Sequence, residues 1–471
     1  MLGNYSNFRN YGLNFSTGQA DTFSLTRPLN FLWTNASICD TSGELLFYSN
    51  GITIMNRNHD TLQNAFNFNP GYFTSYYAND GLGLFYSSII IPKPGNENSK
   101  YYIFHESAQI VTYNSVQAAH PLNLRYSEID ITLDGGLGGI DPSHKNIIIL
   151  SDTLAQGRVS AVKHGNGRDW WLLVHRFNSN LYYKFLVTHD SIQLFSSQNI
   201  GSINPHYNYY GQSLFSEDGD KYVIQVDDST VDLYDFDRCS GLLSNEKSIS
   251  IDDGNLAVYG CALSRSGRYL YINNNKYIHQ FDTQAANIWN SHQLVATWDT
   301  FFSPGPTTFG TLKLAPDNRI YINTYVGTNM LHYIENPDTA GIMCGVIQNS
   351  FIVPSFNTFS FPNSPNWALG SSISSFCDSL INISEDNIDV ANEIEIFPNP
   401  AQNNFSVKAY IQVLPETTFA VYDNLGKERF KISLNYSLQN FNSSELNDGM
   451  YFYLIETSER ILKSGKLIIK R

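Results

Sequence analysis

One short unit constrains this chain more than any other feature. A polar turn carrying Gly or Asn is followed by an aromatic-rich strand, and the pair recurs along the sequence. It reads TSGELLFYSN at 41–50, PGNENSKYYIFH at 94–105, GNGRDWWLLVH at 165–175, SEDGDKYVIQV at 216–226, SRSGRYLYIN at 264–273 and APDNRIYIN at 315–323. With Gly43, Gly95, Gly167, Gly219, Gly267 and Asn318 as markers, the intervals are 52, 72, 52, 48 and 51 residues. A spacing near 50 residues fits one four-stranded blade of a β-propeller. A blade cannot bury both of its faces alone, so blades pack around an axis. Asp218-Gly219 and Ser266-Gly267 suit the positive-φ positions of hairpins, and the strand after the first of them alternates as Tyr222, Ile224, Val226. The spacing predicts seven blades, with six or eight as alternatives. NWALGSSISSF at 366–376 would supply the seventh inner strand, beside YGLNFSTG at 11–18. The 72-residue interval predicts an insertion around LDGGLGGIDPSHKN at 133–146.

The rest of the composition agrees with an all-β chain. Aromatic residues make up 14% of the 471 residues, and no long stretch repeats apolar residues at helical spacing. A formal net charge of -14 without a basic stripe argues against nucleic-acid binding. No apolar run reaches the roughly 20 residues a membrane helix needs, so no membrane insertion is expected. The start, MLGNYSNFRNYGLNF, shows no apolar core of a signal peptide. Five cysteines at 39, 239, 261, 344 and 377 form no C-x-x-C pair. Cys239 and Cys261 fall in adjacent strand–turn units and suit a disulfide in an oxidising compartment, with Cys39 expected free.

The last part of the chain changes character. SLINISEDNIDVANE is polar and acidic and reads as a linker, placed at 378–393. EIEIFPNPAQNNF follows. Pro398 stops a strand because proline cannot donate to a ladder, and Asn399 before Pro400 is pushed towards extended geometry. The corner aims the chain into FSVKAYI at 405–411, and further short strands suit a small immunoglobulin-like β-sandwich over 394–471. IEIFPNPAQNNFSV, VYDNLGKE, LNDGMYFYLIE and KSGKLIIKR together resemble the C-terminal sorting domain of the type IX secretion system. That resemblance implies periplasmic folding, recognition by the secretion machinery, and delivery to the surface or the medium. The residues matching the motif are Pro398, Asn399, Pro400, Gly426, Gly449, Tyr451, Lys466, Lys470 and Arg471. NASICDTSGELLFYSNGITIMNRNH, NGRDWWLLVHRFNSNLYYKFLV and YDFDRCSGLLSN resemble the propeller-like region of exported, gliding-motility-associated proteins, which implies a propeller over 1–377.

Chemistry is harder to read. Trp170 and Trp171 sit mid-strand, where core packing is the favoured role for the pair, with one indole facing between blades, and sugar stacking by the other is the alternative. His59, His105, His120, His144, His164, His175 and His206 are scattered, without H-x-H or H-E-x-x-H, and give no metal site. The acidic turns at 216–220, 235–239 and 250–255 lack a calcium-loop pattern. Neither a phosphate loop nor a nucleophile elbow appears, so no catalytic residue and no cofactor are assigned. The reading is an exported surface or secreted protein that binds or adheres, with a surface glycan or an envelope protein as partner. The competing reading is a secreted polysaccharide-degrading lyase or hydrolase with its site in the propeller channel.

Overall fold

The computed structural model describes residues 10–113, 115–203, 211–254, 257–357, 361–372, 377, 394–409, 417–434, 438–457 and 461–471. The linker at 378–393, His206, residues 1–9 and the end of the proposed seventh strand lie outside these residues. Two compact units divide the chain: 1–164 with 168–369, and 165–167 with 370–471.

All six repeat markers have positive φ, from 67° at Asn318 to 88° at Gly43, and each opens the second strand of an antiparallel sheet. The left-handed conformation is what lets so short a turn reverse the chain. The first sheet has three strands, Ala36–Cys39, Leu45–Ser49 and Ile54–Asn56. The second orders Ser88–Pro92, Lys100–Tyr113, Val116–Asp130 and Ile147–Ser151, with Gly139–Ile140 beside the third of these. The third holds Leu154–Lys163, Trp170–Arg176, Leu181–Val187 and Ile192–Asn199. The fourth holds Ser213–Phe215, Lys221–Gln225, Thr230–Asp237 and Leu242–Ser250. The fifth holds Val258–Leu263, Tyr269–Asn274, Tyr277–Asp282 and Gln293–Thr297. The sixth holds Phe309–Leu314, Ile320–Thr324, Thr328–Ile334 and Val346–Asn357.

Consecutive sheets bury their faces against each other. Ile38 and Phe47 meet Ile90 and Ile103, and Ile89 and Phe104 meet Val159 and Leu172. Trp171 and Tyr182 meet Tyr222 and Ile224, and Leu233 meets Cys261 and Ile272. Tyr271 meets Phe309 and Leu312. Each such side chain contributes about 1.5–3 kcal/mol of transfer free energy. Amides at the end of the second strand add a tie at the same place in the repeat. Gln225 donates to the Val258 carbonyl (2.7 Å), and Asn273 donates to the Gly310 carbonyl (2.8 Å).

Three expectations are corrected. Among the described residues the N-terminal unit has six sheets of three or more strands, and no seventh. YGLNFSTG instead contributes Asn10–Asn14 to a hairpin with Asp21–Leu25, whose Tyr11 packs on Tyr321, Leu331 and Val353 of the sixth sheet. Asn366–Ser372 contains no strand. The long interval comes only partly from 131–146. The rest is the Lys100–Tyr113/Val116–Asp130 hairpin, whose 14- and 15-residue strands run past the sheet.

In the C-terminal unit, Ile394–Phe397, Asn404–Ala409 and Leu438–Asn442 form one sheet. Glu428–Ser433, Thr418–Tyr422, Gly449–Glu456 and Ile461–Ile469 form the other. Phe405, Val407 and Phe441 from the first share a core with Phe419, Val421, Tyr453, Ile455 and Leu467 from the second. This is a β-sandwich, as its alternating strands require.

Candidate functional site

The first strands of all six sheets line one cavity of about 1100 Å³ in the N-terminal unit. Across it runs the segment Phe361–Leu369, FPNSPNWAL. Pro362 and Pro365 lack the N–H that strand pairing needs, so the segment cannot join a ladder. Its side chains do the bonding instead. The Asn363 amide donates to the carbonyls of Tyr86 (3.1 Å) and Val159 (3.0 Å), and its backbone N–H donates to the Asn35 carbonyl (2.9 Å). The Asn366 amide donates to the Glu217 carbonyl at 2.9 Å, and the Trp367 indole to the Ile90 carbonyl at 2.9 Å. Lys313 in turn donates to the Ser364 carbonyl at 2.9 Å. Phe361 is buried against the sixth sheet, and Trp367 packs where the first three sheets meet. This strap reaches five of the six sheets at or beside their first strands. It gives partners to the carbonyls of Asn35, Tyr86, Ile90, Val159 and Glu217.

The cavity wall carries Asp40, Glu97 and Glu217, and also Arg57, Lys163, Arg265 and Lys313. The acids are engaged. Asp40 accepts from the backbone N–H groups of Ser42 and Glu44, which with the Ser42 hydroxyl hold its carboxyl below the usual range. Glu97 accepts from the Gly95 N–H at 2.7 Å, and Glu217 pairs with Arg265 at 3.3 Å. Among the described residues Lys313 forms no ion pair, though Glu217 acts on it from further off, and burial pushes its ammonium down to about 8. Burial raises the phenols of Tyr86, Tyr101 and Tyr321, which also line the cavity.

In the C-terminal unit the Pro-Asn-Pro corner covers the outer edge of Ile461–Ile469. The Asn399 amide donates to the Lys466 carbonyl (2.6 Å), and its oxygen accepts from the Ile468 N–H (2.8 Å). Ala401 continues the pairing: its N–H bonds the Ile468 carbonyl, and its carbonyl accepts from the Lys470 N–H. Arg471 donates to the carbonyls of Ser443 and Leu446, both at 2.7 Å, and its guanidinium lies 3.4 Å from Asp448. The Tyr451 hydroxyl bonds the Asn447 carbonyl, and Gly426 sits at φ 76° in the turn whose N–H groups Asp423 caps. Gly449 begins the Gly449–Glu456 strand. The structure thus brings Pro398, Asn399, Pro400, Lys466, Lys470 and Arg471 together, and puts Gly426, Gly449 and Tyr451 in roles that shape the fold.

Other expected residues fare differently. Trp170 and Trp171 are both fully buried, and the Trp171 indole donates to the Arg238 carbonyl, so neither offers a face to a sugar. The Cys239–Cys261 bridge is not formed. Cys261 is a free thiol wholly buried between the fourth and fifth sheets, where desolvation pushes it up to about 12, while Cys239 is disulfide-bonded elsewhere. Cys39 is free. His105, His120 and His175 are separately buried, and among the described residues no group of His, Cys, Asp or Glu could hold a metal ion. Sequence reading missed a chain from Asp253 to His279 (2.8 Å) to His292 (2.9 Å), because separations of 26 and 13 residues match no short metal or catalytic motif. It also missed the strap, although Pro362 and Pro365 were a signal against a strand there.

The family model described as secretion system C-terminal sorting domain matches residues 395–470. No curated protein matches the chain. Among solved structures, it is similar to PorZ, an essential bacterial surface component of the type-IX secretion system of Porphyromonas gingivalis. That match has 11% identity and a TM-score of 0.36, and it covers 99% of this chain and 59% of PorZ. It is also similar to the periplasmic gluconolactonase PpgL of Pseudomonas aeruginosa, with 12% identity and a TM-score of 0.34 over 58% of this chain and 87% of that one. A third is the β-propeller domain of Cps50 (Swd1) from Myceliophteria thermophila, with 11% identity and a TM-score of 0.31 over 61% and 93%.

Proposed function

From the premise that this chain carries a secretion system C-terminal sorting domain at residues 395–470, we propose that it is an exported binding protein whose N-terminal unit presents a ligand site. The sorting domain itself means export to the cell surface or the medium through the type IX machinery. Our reading divides the labour as 1–377 for binding, 378–393 as tether and 394–471 as address. The corner at 398–401 and the strand it covers form one surface, and we take that composite surface as what the machinery reads. The partner of the N-terminal unit is a surface glycan or another envelope protein.

The observation that carries binding rather than turnover is the strap across the cavity. It forms part of the cavity wall, and its bonds hold the walls at fixed separation, a preformed site. The lining tyrosines have raised phenols, which makes them poor bases at neutral pH, and the lining residues include no histidine. The competing reading, a polysaccharide lyase or hydrolase, draws its support from Lys313 and Lys163, lining groups whose proton affinity burial lowers towards what a general base needs.

Two measurements test this. Residues 378–471 fused to a reporter with a signal peptide should reach the surface of a type IX-competent cell, and periplasmic retention would remove the address. The purified full chain should bind on a glycan or envelope-protein array without releasing product. Depolymerisation of any polysaccharide would replace the binding reading with the enzymatic one.

A further inference from the structure

The ionisable groups of the cavity are unevenly committed, and that imbalance points to the class of ligand. Asp40 is spent on its own turn, Glu97 on the Gly95 N–H, and Glu217 on Arg265. Among the described residues Lys313 is bonded to the Ser364 carbonyl, which engages one of its three N–H donors. Arg57 lies exposed at the rim of the same cavity, and among the described residues it forms no ion pair. Lys163 lines the wall as a third cation, above the Trp170 ring. The ammonium of Lys313 feels Glu217 only from beyond ion-pair distance, and a half-buried ammonium so placed becomes more favourable when an anion contacts it directly. The remaining wall is partly aromatic: Phe15, Phe215, Trp367 and the ring of Tyr321 all line the space. Flat apolar rings beside hydrogen-bonding groups suit the faces of a sugar.

We propose that the cavity binds an acidic saccharide, a sugar bearing a carboxylate or a phosphate, with Lys313 as the anchor for its anionic group and Arg57 at the entrance. The inference rests on the binding reading above and deepens it. The strap is part of the site, because its Ser364 carbonyl fixes the direction in which the Lys313 amine points.

The test is calorimetric titration of the full chain with three probes: trigalacturonate, glucose 6-phosphate and neutral cellotriose. The two acidic probes separate a carboxylate from a phosphate as the recognised group. At least one is expected to bind, with cellotriose weaker by about tenfold or more. Lys313→Met should remove that preference, and Arg57→Gln should reduce it by a smaller factor. Should Lys313→Met fail to fold, the ¹⁵Nζ titration of Lys313 in the unaltered protein decides instead. Binding of the acidic probe should raise the pH at which that amine loses its proton. Equal affinity for acidic and neutral probes, or an Nζ titration unmoved by the acidic probe, would overturn the proposal and leave the binding reading standing. Silence on every glycan and protein of the array would sink the binding reading itself.

Discussion

The tripeptide Phe-Pro-Asn occurs in both units, at 361–363 and at 397–399, and it does different work in each. In both, proline denies the backbone a place in a ladder and the asparagine side chain bonds to main chain instead. Asn363 acts as a donor from its side chain, joining carbonyls on two different sheets, Tyr86 before the second and Val159 in the third. Asn399 both donates and accepts along one strand, at Lys466 and Ile468, and so copies the bonding of a backbone residue. Phe361 is buried at 3% exposure, while Phe397 is 43% exposed. One motif therefore solves two problems, filling an axis and covering an edge. What differs is how many chains the amide has to join.

The largest way to separate the units is acid. His105 and His175 are pushed down to about 3 by burial, and His120 and His332 to about 4, whereas 394–471 contains no histidine. An unfolded chain takes up these protons first, near pH 6.5. Stability is therefore full above that value and falls as pH drops towards the folded values. At pH 5 each histidine should remove about 2 kcal/mol from the N-terminal unit. Urea melts followed by intrinsic fluorescence at pH 7.5 and pH 5 should show one transition moving and the sorting domain's staying put. Equal shifts in both would break the contrast.

Next in size is Trp367→Ala, which removes the indole from the junction of three sheets and its bond to Ile90. About 3 kcal/mol should be lost from the N-terminal unit alone. Asn363→Ala should cost about 2 kcal/mol, because two buried carbonyls lose their donor. Asn399→Ala should cost about 1 kcal/mol at its more exposed edge, and the more telling readout there is surface delivery of the reporter. Asn399→Asp sharpens the point. It keeps the acceptor for the Ile468 N–H but sets a carboxylate against the Lys466 carbonyl, so it should be worse than alanine in delivery. If Asn399→Asp and Asn399→Ala behave alike, the amide is not reproducing a strand.

These contrasts also show what the sequence could disclose. The turns were legible because positive φ selects Gly or Asn locally, and every marker from Gly43 to Asn318 has it. Strand alternation and the tail motif were legible for the same reason: both are patterns of near neighbours. The strap was not, because Asn363, Asn366 and Trp367 bond residues some 150 to more than 300 positions away, and no short period records such distances. Trp170 and Trp171 pack in the core, as favoured, but the sequence left sugar stacking open for a related reason. Adjacent strand residues face opposite ways, and only the stacking of a neighbour on each side buries both. Cys239 and Cys261 fall in adjacent strand–turn units, yet Cys261 is buried in the interface of the fourth and fifth sheets and Cys239 is bonded elsewhere.

The strap has one more consequence, and it concerns time rather than stability. Phe361–Leu369 follows all six sheets in the chain, yet it lies at the place on which their first strands converge. A ribosome or a translocation pore delivers residues in order, so the sheets emerge before the piece that belongs at their centre. Until that piece arrives, the carbonyls of Tyr86, Val159, Ile90 and Glu217 lack the partners it brings. Like an arch that waits for its keystone, the unit is completed from the middle and last of all.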